Sequence, residues 1–426
     1  MLALPLSGWL QRRGIHFAWV VAAITFLTML TSSAALGLPS VMMQPLSQEF
    51  GWDTAQISSA LAVRFALFGL LGPFSALLME RFGVRAIVCT ALTLIGAGLL
   101  LATQMTAFWQ LVALWGVLVG VGAGMTALVL GAVVSTTWFE THRGLVVGLL
   151  TASSATGQMV FLPFAAWIIE HHGWRMAVLP VFACCALVVV LTFFFMRDHP
   201  HELRLHAFGA DTVLPPPASP AAAARPLALA LPFKVLAEAS ASKTFWILLA
   251  TFFICGLSTN GLIQTHFISL CGDAGLGPVP AASVLAMMGA FDLVGTVLSG
   301  WLSDRYDSRK LLLWYYGLRG LSLLWLPHSD FTLYGLSLFA MFYGLDWIAT
   351  VPPTVKLASA EFGERTGMVF GWVFAAHQLG AAVAAYGAGQ VRILLLTYNP
   401  ALYTAGAACL VAAAAVMLIR RQRSLA

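Results

Sequence analysis

Gly300-Trp301-Leu302-Ser303-Asp304-Arg305-Tyr306-Asp307-Ser308-Arg309-Lys310 lies between two long apolar runs, and Glu80-Arg81-Phe82-Gly83-Val84-Arg85 occupies the same kind of place upstream. Each reads as a short charged hairpin joining two membrane helices, with a carboxylate beside one Arg and a second Arg four residues further on. A joint that occurs twice implies that the helices around it are duplicated as well.

Composition supports the membrane reading. Of 426 residues, 60% are hydrophobic and 9% charged, with a mean hydropathy of +0.88. Soluble domains carry about 25% charged residues to solvate their surfaces, so the chain is read as integral to a bilayer. A hydrocarbon core of about 30 Å takes about 20 apolar residues per helix. Twelve runs meet that need, at 16–43, 55–79, 84–104, 107–137, 144–169, 174–196, 244–271, 279–302, 309–327, 331–355, 366–391 and 400–420.

Basic residues near helix ends are retained on the cytoplasmic side. Of 22 Lys and Arg, only Arg175 and Arg392 fall in joints on one side, and Arg64 and Arg319 fall inside spans. The remainder share a side with Arg12, Arg13, Arg420, Arg421 and Arg423, so both termini are expected in the cytoplasm. The net charge of +5 is thereby explained by topology, and no nucleic-acid partner is expected. The first apolar run is too long for a signal-peptide core and reads as a retained helix. Cys89, Cys184, Cys185, Cys255 and Cys409 lie in spans and Cys271 at a span end, without metal-ligand spacing, and read as packing residues.

Hydropathy collapses over 197–242, where Leu-Pro-Pro-Pro-Ala-Ser-Pro begins at Leu214, and this stretch reads as a flexible cytoplasmic linker. It separates an N-terminal six-helix bundle, 1–196, from a C-terminal one, 243–426. His199, His201 and His206 are irregularly spaced and read as solvated histidines, so no metal is expected. The halves superpose in sequence: Glu80, Arg81 and Arg85 match Asp304, Arg305 and Arg309 at an offset of 224, and Gly144, Gly148 and Gly157 match Gly367, Gly371 and Gly380 at 223. An even number of helices per half makes the repeats parallel. The fold class is therefore all-α membrane protein, with twelve transmembrane helices in two parallel six-helix repeats.

With these residues in view, the chain resembles the major facilitator superfamily over essentially its whole length. The signature hairpin of that superfamily is Gly-x-x-x-Asp-Arg-x-Gly-Arg-Arg/Lys. The copy from Gly300 departs from it at Asp307, and the upstream copy has Ala76 for glycine and Glu80 for aspartate. Within the superfamily the resemblance is closest to the monocarboxylate and oxalate/formate transporter branch. It rests on Glu49-Phe-Gly-Trp52-Asp-Thr-Ala-Gln56, on Trp138-Phe-Glu-Thr-His-Arg143-Gly144-Leu-Val-Val-Gly148, and on Phe291-Asp292. Thr296 and Ser40 stand where monocarboxylate transporters carry Arg and Lys. The resemblance implies that helices 1, 2, 4, 5, 7, 8, 10 and 11 line a central cavity while 3, 6, 9 and 12 support it.

Ionisable residues at membrane depth are costly and mark candidate functional sites. Arg64 falls in helix 2, His266 in helix 7, Asp292 in helix 8, Arg319 in helix 9, Asp346 in helix 10 and His377 in helix 11. A guanidinium holds a carboxylate through two parallel hydrogen bonds, so Arg64 is the candidate substrate ligand, with His377, Gln378, Asn260 and Gln264 as helpers. A gating ion pair with Asp292 or an interfacial acid is the alternative. Asp292 and His266 are candidates for proton coupling, and His377 shares that chemistry. Arg319 reads as structural, paired with Asp346 or a carbonyl. Glu80, Arg81, Arg85, Asp304, Arg305 and Arg309 read as a cytoplasmic latch, and the glycines of helices 4, 5 and 11 as close-packing positions.

These readings converge on a secondary transporter of a small organic anion, a monocarboxylate or dicarboxylate, working by alternating access with protons or by exchange. A proton-driven drug or metabolite exporter, or a non-transporting sensor on the same scaffold, is the alternative. No enzyme is expected, because neither a nucleophile–base pair nor a phosphate-binding loop is present, and no cofactor is expected. The partners would be the anion, protons and the lipid bilayer of the inner membrane, with the protein a monomer.

Overall fold

A computed structural model of the chain describes residues 3–126, 129–210 and 230–420. The Pro-rich part of the expected linker, and Arg421 and Arg423, lie outside the described residues.

Helix follows helix, with short joints. Among the described residues nine are long and apolar enough to cross a membrane: α1 Ala18–Phe50, α2 Thr54–Phe82, α3 Val84–Ala102, α4 Phe108–Trp138, α6 Trp174–Phe195, α7 Lys243–Asp273, α8 Pro278–Arg305, α11 Thr366–Leu395 and α12 Asn399–Leu418. Three more complete the twelve: α5 Arg143–His172, α9 Ser308–Trp325 and α10, which runs Leu333–Leu345 and resumes as Val351–Phe362. The expected helix 10 was continuous over 331–355; the observed one is broken at 346–350, just before Pro352 and Pro353, which have no N–H to offer the preceding turn.

Local chemistry sets the joints. Gly51 closes α1 with φ +70°, and Asp53 and Gln56 then open α2 with reciprocal side-chain-to-backbone bonds of 2.7 and 3.0 Å. Those residues belong to the stretch Glu49–Gln56, which forms the joint between α1 and α2. At the far end of α2, Gly83 takes φ +84°, and Asp198 packs where a side chain on Gly83 would stand, accepting the Arg85 N–H at 2.8 Å. Asp307 opens α9 by accepting the Arg309 N–H.

The repeat is visible in its contacts. Gly157 of α5 faces the Leu30 carbonyl of α1, and Gly380 of α11 faces the Phe253 carbonyl of α7; in each case a methyl group would collide. Gly120 packs on Arg64, and Gly344 packs likewise on Met288, 224 residues after Arg64. Where neighbours are as apolar as lipid, close backbone approach is what holds helices together. Gly380→Ala should therefore cost ~1–3 kcal/mol through overpacking. A lowered thermal midpoint of the detergent-solubilised protein is expected, whereas Gly387→Ala, which meets open space, should leave it unchanged.

Between halves, α2 runs along α11, with Gly69 on Ala375 and Gln378, Gly371 on Pro73, and Gly389 on Ala55 and Ser58. At the end away from the linker, Arg175 and Trp174 grip Glu49 at the end of α1, at 2.6 and 2.7 Å. The second repeat does the same with Arg392 and Asp273 at the end of α7, at 2.6 Å. The two basic residues used only to assign topology thus have matched structural tasks.

At the linker end, the segment after α6 is less extended than expected. Pro200–Leu203 forms a helical turn, and Phe208 packs on Trp19, Phe139, His16 and His142. Its amide donates to the Trp138 carbonyl at 2.8 Å. An aromatic anchor of this kind fixes an otherwise polar segment. Ala230–Ala239 is a helix before α7, bound through Glu238 to Arg365 and through the Pro232 carbonyl to Trp372.

Candidate functional site

A cavity of about 160 Å³ lies between the halves. Its walls come from α1 (Met29, Ser32, Ser33, Leu36), α2 (Phe65, Phe68) and α4 (Ala123, Thr126) on one side. On the other stand α7 (Phe252, Cys255, Thr259, Asn260, Gln264), the break in α10 (Trp347, Ile348, Thr350) with Val351 just beyond it, and α11 (Phe374, His377, Gln378). Among the described residues none comes from α3, α6, α9 or α12, and none from α5 or α8.

Irregular backbone builds these walls. Leu257–Gln264 is a π-helical stretch of α7, a widened turn that recurs at functional sites, and it carries Thr259, Asn260 and Gln264 to the cavity. The interruption of α10 exposes backbone groups that a bilayer cannot satisfy, and three side chains from α8 and α9 take them up. Ile348 N–H donates to Asp292 Oδ1 at 2.8 Å, and the Ala349 carbonyl accepts from Ser299 Oγ at 2.5 Å. The carbonyls of Asp346 and Trp347 both accept from Arg319 Nη2.

Of the residues singled out in sequence, Asn260, Gln264, His377 and Gln378 meet in the cavity. His377 sits between the rings of Phe252 and Phe374, at 5.0 and 5.9 Å, and it is nine-tenths buried. Its Nδ1 and the Oε1 of Gln378 have no hydrogen-bond partner among the described residues.

Arg64 lies directly behind the wall and is 2% exposed. Pro39 has no N–H to continue the ladder of α1, and in this stretch Arg64 Nη1 donates to the Leu36 carbonyl at 2.9 Å. The guanidinium carbon stands 4.7 Å from the Phe65 ring centre, and Nε is unpartnered. Both Leu36 and Phe65 line the cavity. Among the described residues no carboxylate lies within 4.0 Å of Arg64.

Arg319 is the contrast. It is 1% exposed, and its Nε donates to Asp346 Oδ2 at 2.7 Å, while Nη1 donates to Cys255 Sγ at 2.8 Å. The carboxylate and the carbonyls offered as alternative partners both hold it. Asp292, buried, accepts from Thr296 at 3.0 Å as well as from Ile348, so it touches the cavity through the α10 break. His266 is away from the cavity, bonded to Tyr398 at 3.2 Å and to the Ala385 carbonyl at 2.8 Å.

The hairpin charges are distributed differently from a helix-to-helix latch. Arg309 pairs with Asp307 in its own hairpin at 2.6 Å and donates to the Ile419 carbonyl at 2.9 Å. Arg85 lies over Phe193 and Arg305 over Trp301. Glu80, Arg81, Asp304 and Arg305 are exposed, and among the described residues none of these four forms an ion pair.

Ser32, Thr126, Cys255 and Thr350 were not foreseen as wall residues. The signal that finds them is the repeat offset: Ser32 Oγ is 3.5 Å from Thr126 Oγ1, and Cys255 Sγ is 3.4 Å from Thr350 Oγ1. Cys255 follows Ser32 by 223 residues and Thr350 follows Thr126 by 224.

Comparison with known proteins agrees with this architecture. The Major Facilitator Superfamily pattern matches residues 21–385. An uncharacterized MFS-type transporter, YcxA of Bacillus subtilis, is 26% identical over 390 residues, covering 89% of each chain. Monocarboxylate transporter 13 of Bos taurus is 26% identical over 415 residues, covering 95% of this chain and 87% of that protein. The cis,cis-muconate transport protein of Acinetobacter baylyi is 25% identical over 401 residues, 88% of this chain and 87% of its own. Twelve helices in two parallel repeats around a central cavity, and a superfamily pattern spanning both repeats, make this multi-pass membrane protein a member of the major facilitator superfamily.

Proposed function

We propose that the protein transports a small organic anion bearing a carboxylate, by alternating access to the cavity between its halves. The observation that carries this is Arg64, buried behind the cavity wall with no acid within 4.0 Å among the described residues. A cation held in a low-dielectric interior without an acid is unfavourable unless an anion periodically joins it. The relatives named for monocarboxylate and muconate transport fit that reading. Phe65, Phe68, Phe252, Phe374 and Trp347 give the cavity an aromatic lining, which suits a cargo with an apolar body and a single carboxylate seated at Arg64. His377, Gln378, Asn260 and Gln264 then bond its remaining polar atoms.

In this mechanism residues 1–196 and 243–426 rock as two bundles joined by the linker 197–242. Both termini and the linker lie in the cytoplasm, the membrane is the inner membrane of the cell, and the working unit is a monomer. Binding at Arg64 draws the α1 and α2 walls toward α7 and α11, and closure follows because the same anion bonds to both halves. Asp292 is the proton-coupling group, since a change in its charge alters its hold on the Ile348 amide and hence the α10 wall. His266 is the second candidate for that task.

Uptake of labelled monocarboxylates into proteoliposomes under an inward proton gradient tests the reading, and accumulation above equilibrium is expected. Cargo binding without accumulation would instead indicate a sensor, and export of lipophilic compounds with no carboxylate uptake a drug exporter. Asp292→Asn is expected to keep cargo binding, read by thermal shift, while uptake no longer responds to the imposed pH gradient. Unaltered proton dependence in that variant removes Asp292 from the mechanism.

A further inference from the structure

Cys255 stands out among the cavity residues because a nucleophilic atom replaces the hydroxyl that the first repeat places there. Ser32 and Thr126 form the equivalent pair in the other wall. Among the described residues Cys255 is the only one of the six cysteines lining the cavity. Behind it, Arg319 directs Nη1 at the sulfur from 2.8 Å while another of its nitrogens holds Asp346. Beside it are the Thr350 hydroxyl and the imidazole of His377. Basic groups around a sulfur favour its reactive form; Cys255 is 1% exposed, so a reagent reaches it only through the cavity it lines. The imidazole supplies a second sign of a ligand site, for its Nδ1 is unpartnered although the residue is nine-tenths buried in the cavity wall.

We propose that Cys255 is a covalent-modification site inside the cavity, open to small uncharged thiol-directed electrophiles, with Arg319 and Thr350 as positioning residues. With methyl methanethiosulfonate, Cys255 Sγ attacks the sulfenyl sulfur. A new S–S bond forms, the S–SO₂ bond of the reagent breaks, and methanesulfinate leaves with its electron pair. The thiol proton passes to His377 and from there to water. The product is a methyl disulfide that fills part of the cavity, so the modified protein no longer accommodates cargo, and a reducing thiol restores it. Because the site shares its cavity with the proposed function, the modification and its effect on transport are read separately.

The folded full-length protein in proteoliposomes is treated with methyl methanethiosulfonate, and each cysteine is scored by peptide mass spectrometry. Cys255 is expected to carry the adduct at least 10-fold faster than Cys185, Cys271 or Cys409. Carboxylate uptake is expected to fall in step with that adduct and to return on reduction. Cys255→Ser, which places the residue of the first repeat in the second, is expected to transport and to resist the reagent. Absence of adduct at Cys255 in the folded protein, when all six cysteines react after unfolding, overturns the inference, as does equal sensitivity of Cys255→Ser. Should that variant fail to fold, labelling of the wild type still decides. Labelling at Cys255 in a protein that takes up no carboxylate leaves this site standing and removes the proposed cargo.

Discussion

Arg64→Ala is expected to lower carboxylate uptake by about 100-fold or more while the thermal midpoint of the purified protein stays level or rises. The two effects have one cause. Arg64 is 2% exposed and has no acid within reach among the described residues, so the empty transporter bears the cost of a poorly solvated cation. Deleting it relieves that cost and leaves only the Leu36 carbonyl short of one donor. The bound anion, by contrast, loses charge-assisted bonds worth ~3 kcal/mol together, which corresponds to about two orders of magnitude in affinity. Arg64→Lys keeps the charge and loses the planar fork, so an intermediate loss is expected, mainly as a raised KM. Initial uptake rates over a range of cargo concentrations check this. Normal kinetics in both variants would place the anion elsewhere in the cavity.

The second large effect is on stability. Arg319→Met should destabilise the protein by ~3–5 kcal/mol, because it strands a buried carboxylate. It also leaves the Asp346 and Trp347 carbonyls without Arg319, their donor at the α10 break. The double variant Arg319→Met with Asp346→Leu should recover much of the loss, since removing both charges is far less costly than removing one. Recovery stays incomplete, for the broken helix still lacks donors. Thermal unfolding in detergent measures all three proteins. A single variant as stable as the wild type would mean that Asp292 and Ser299 hold the break alone.

What the sequence discloses depends on whether the signal is local. The hairpins at Glu80 and Asp304, and the glycine series at offset 223, are short patterns whose spacing follows from helix geometry, and they lead to the duplicated bundle without any knowledge of contacts. Arg64 is legible for a similar reason: a charge inside an apolar run is conspicuous wherever it points. Its lack of an acidic partner among the described residues is not legible, because the acids that might have answered it are distant in sequence. The break in α10 was missed although Pro352 and Pro353 mark it, since apolar residues continue on both sides and the hydropathy does not fall. Cys255 was taken as a packing residue because nothing near it in sequence shows Arg319 approaching from 64 positions away. Only matching it to Ser32 across the repeat would have placed it on the cavity wall.

The ion pairs among the described residues all close within one repeat or between the second repeat and the helix just before it. Glu49 meets Arg175, Asp273 meets Arg392, Asp346 meets Arg319, and Glu238 meets Arg365. Across the divide between α2 and α11 lie instead close-packed glycines with uncharged side chains against them. Under the proposed alternating access, the reorientation barrier would take its height from short-range repulsion and dispersion in that seam and from the lateral pressure of the surrounding lipid. Ionic strength, which reaches only charges near water, would then have little purchase on it, and acyl-chain composition would be the variable that sets turnover.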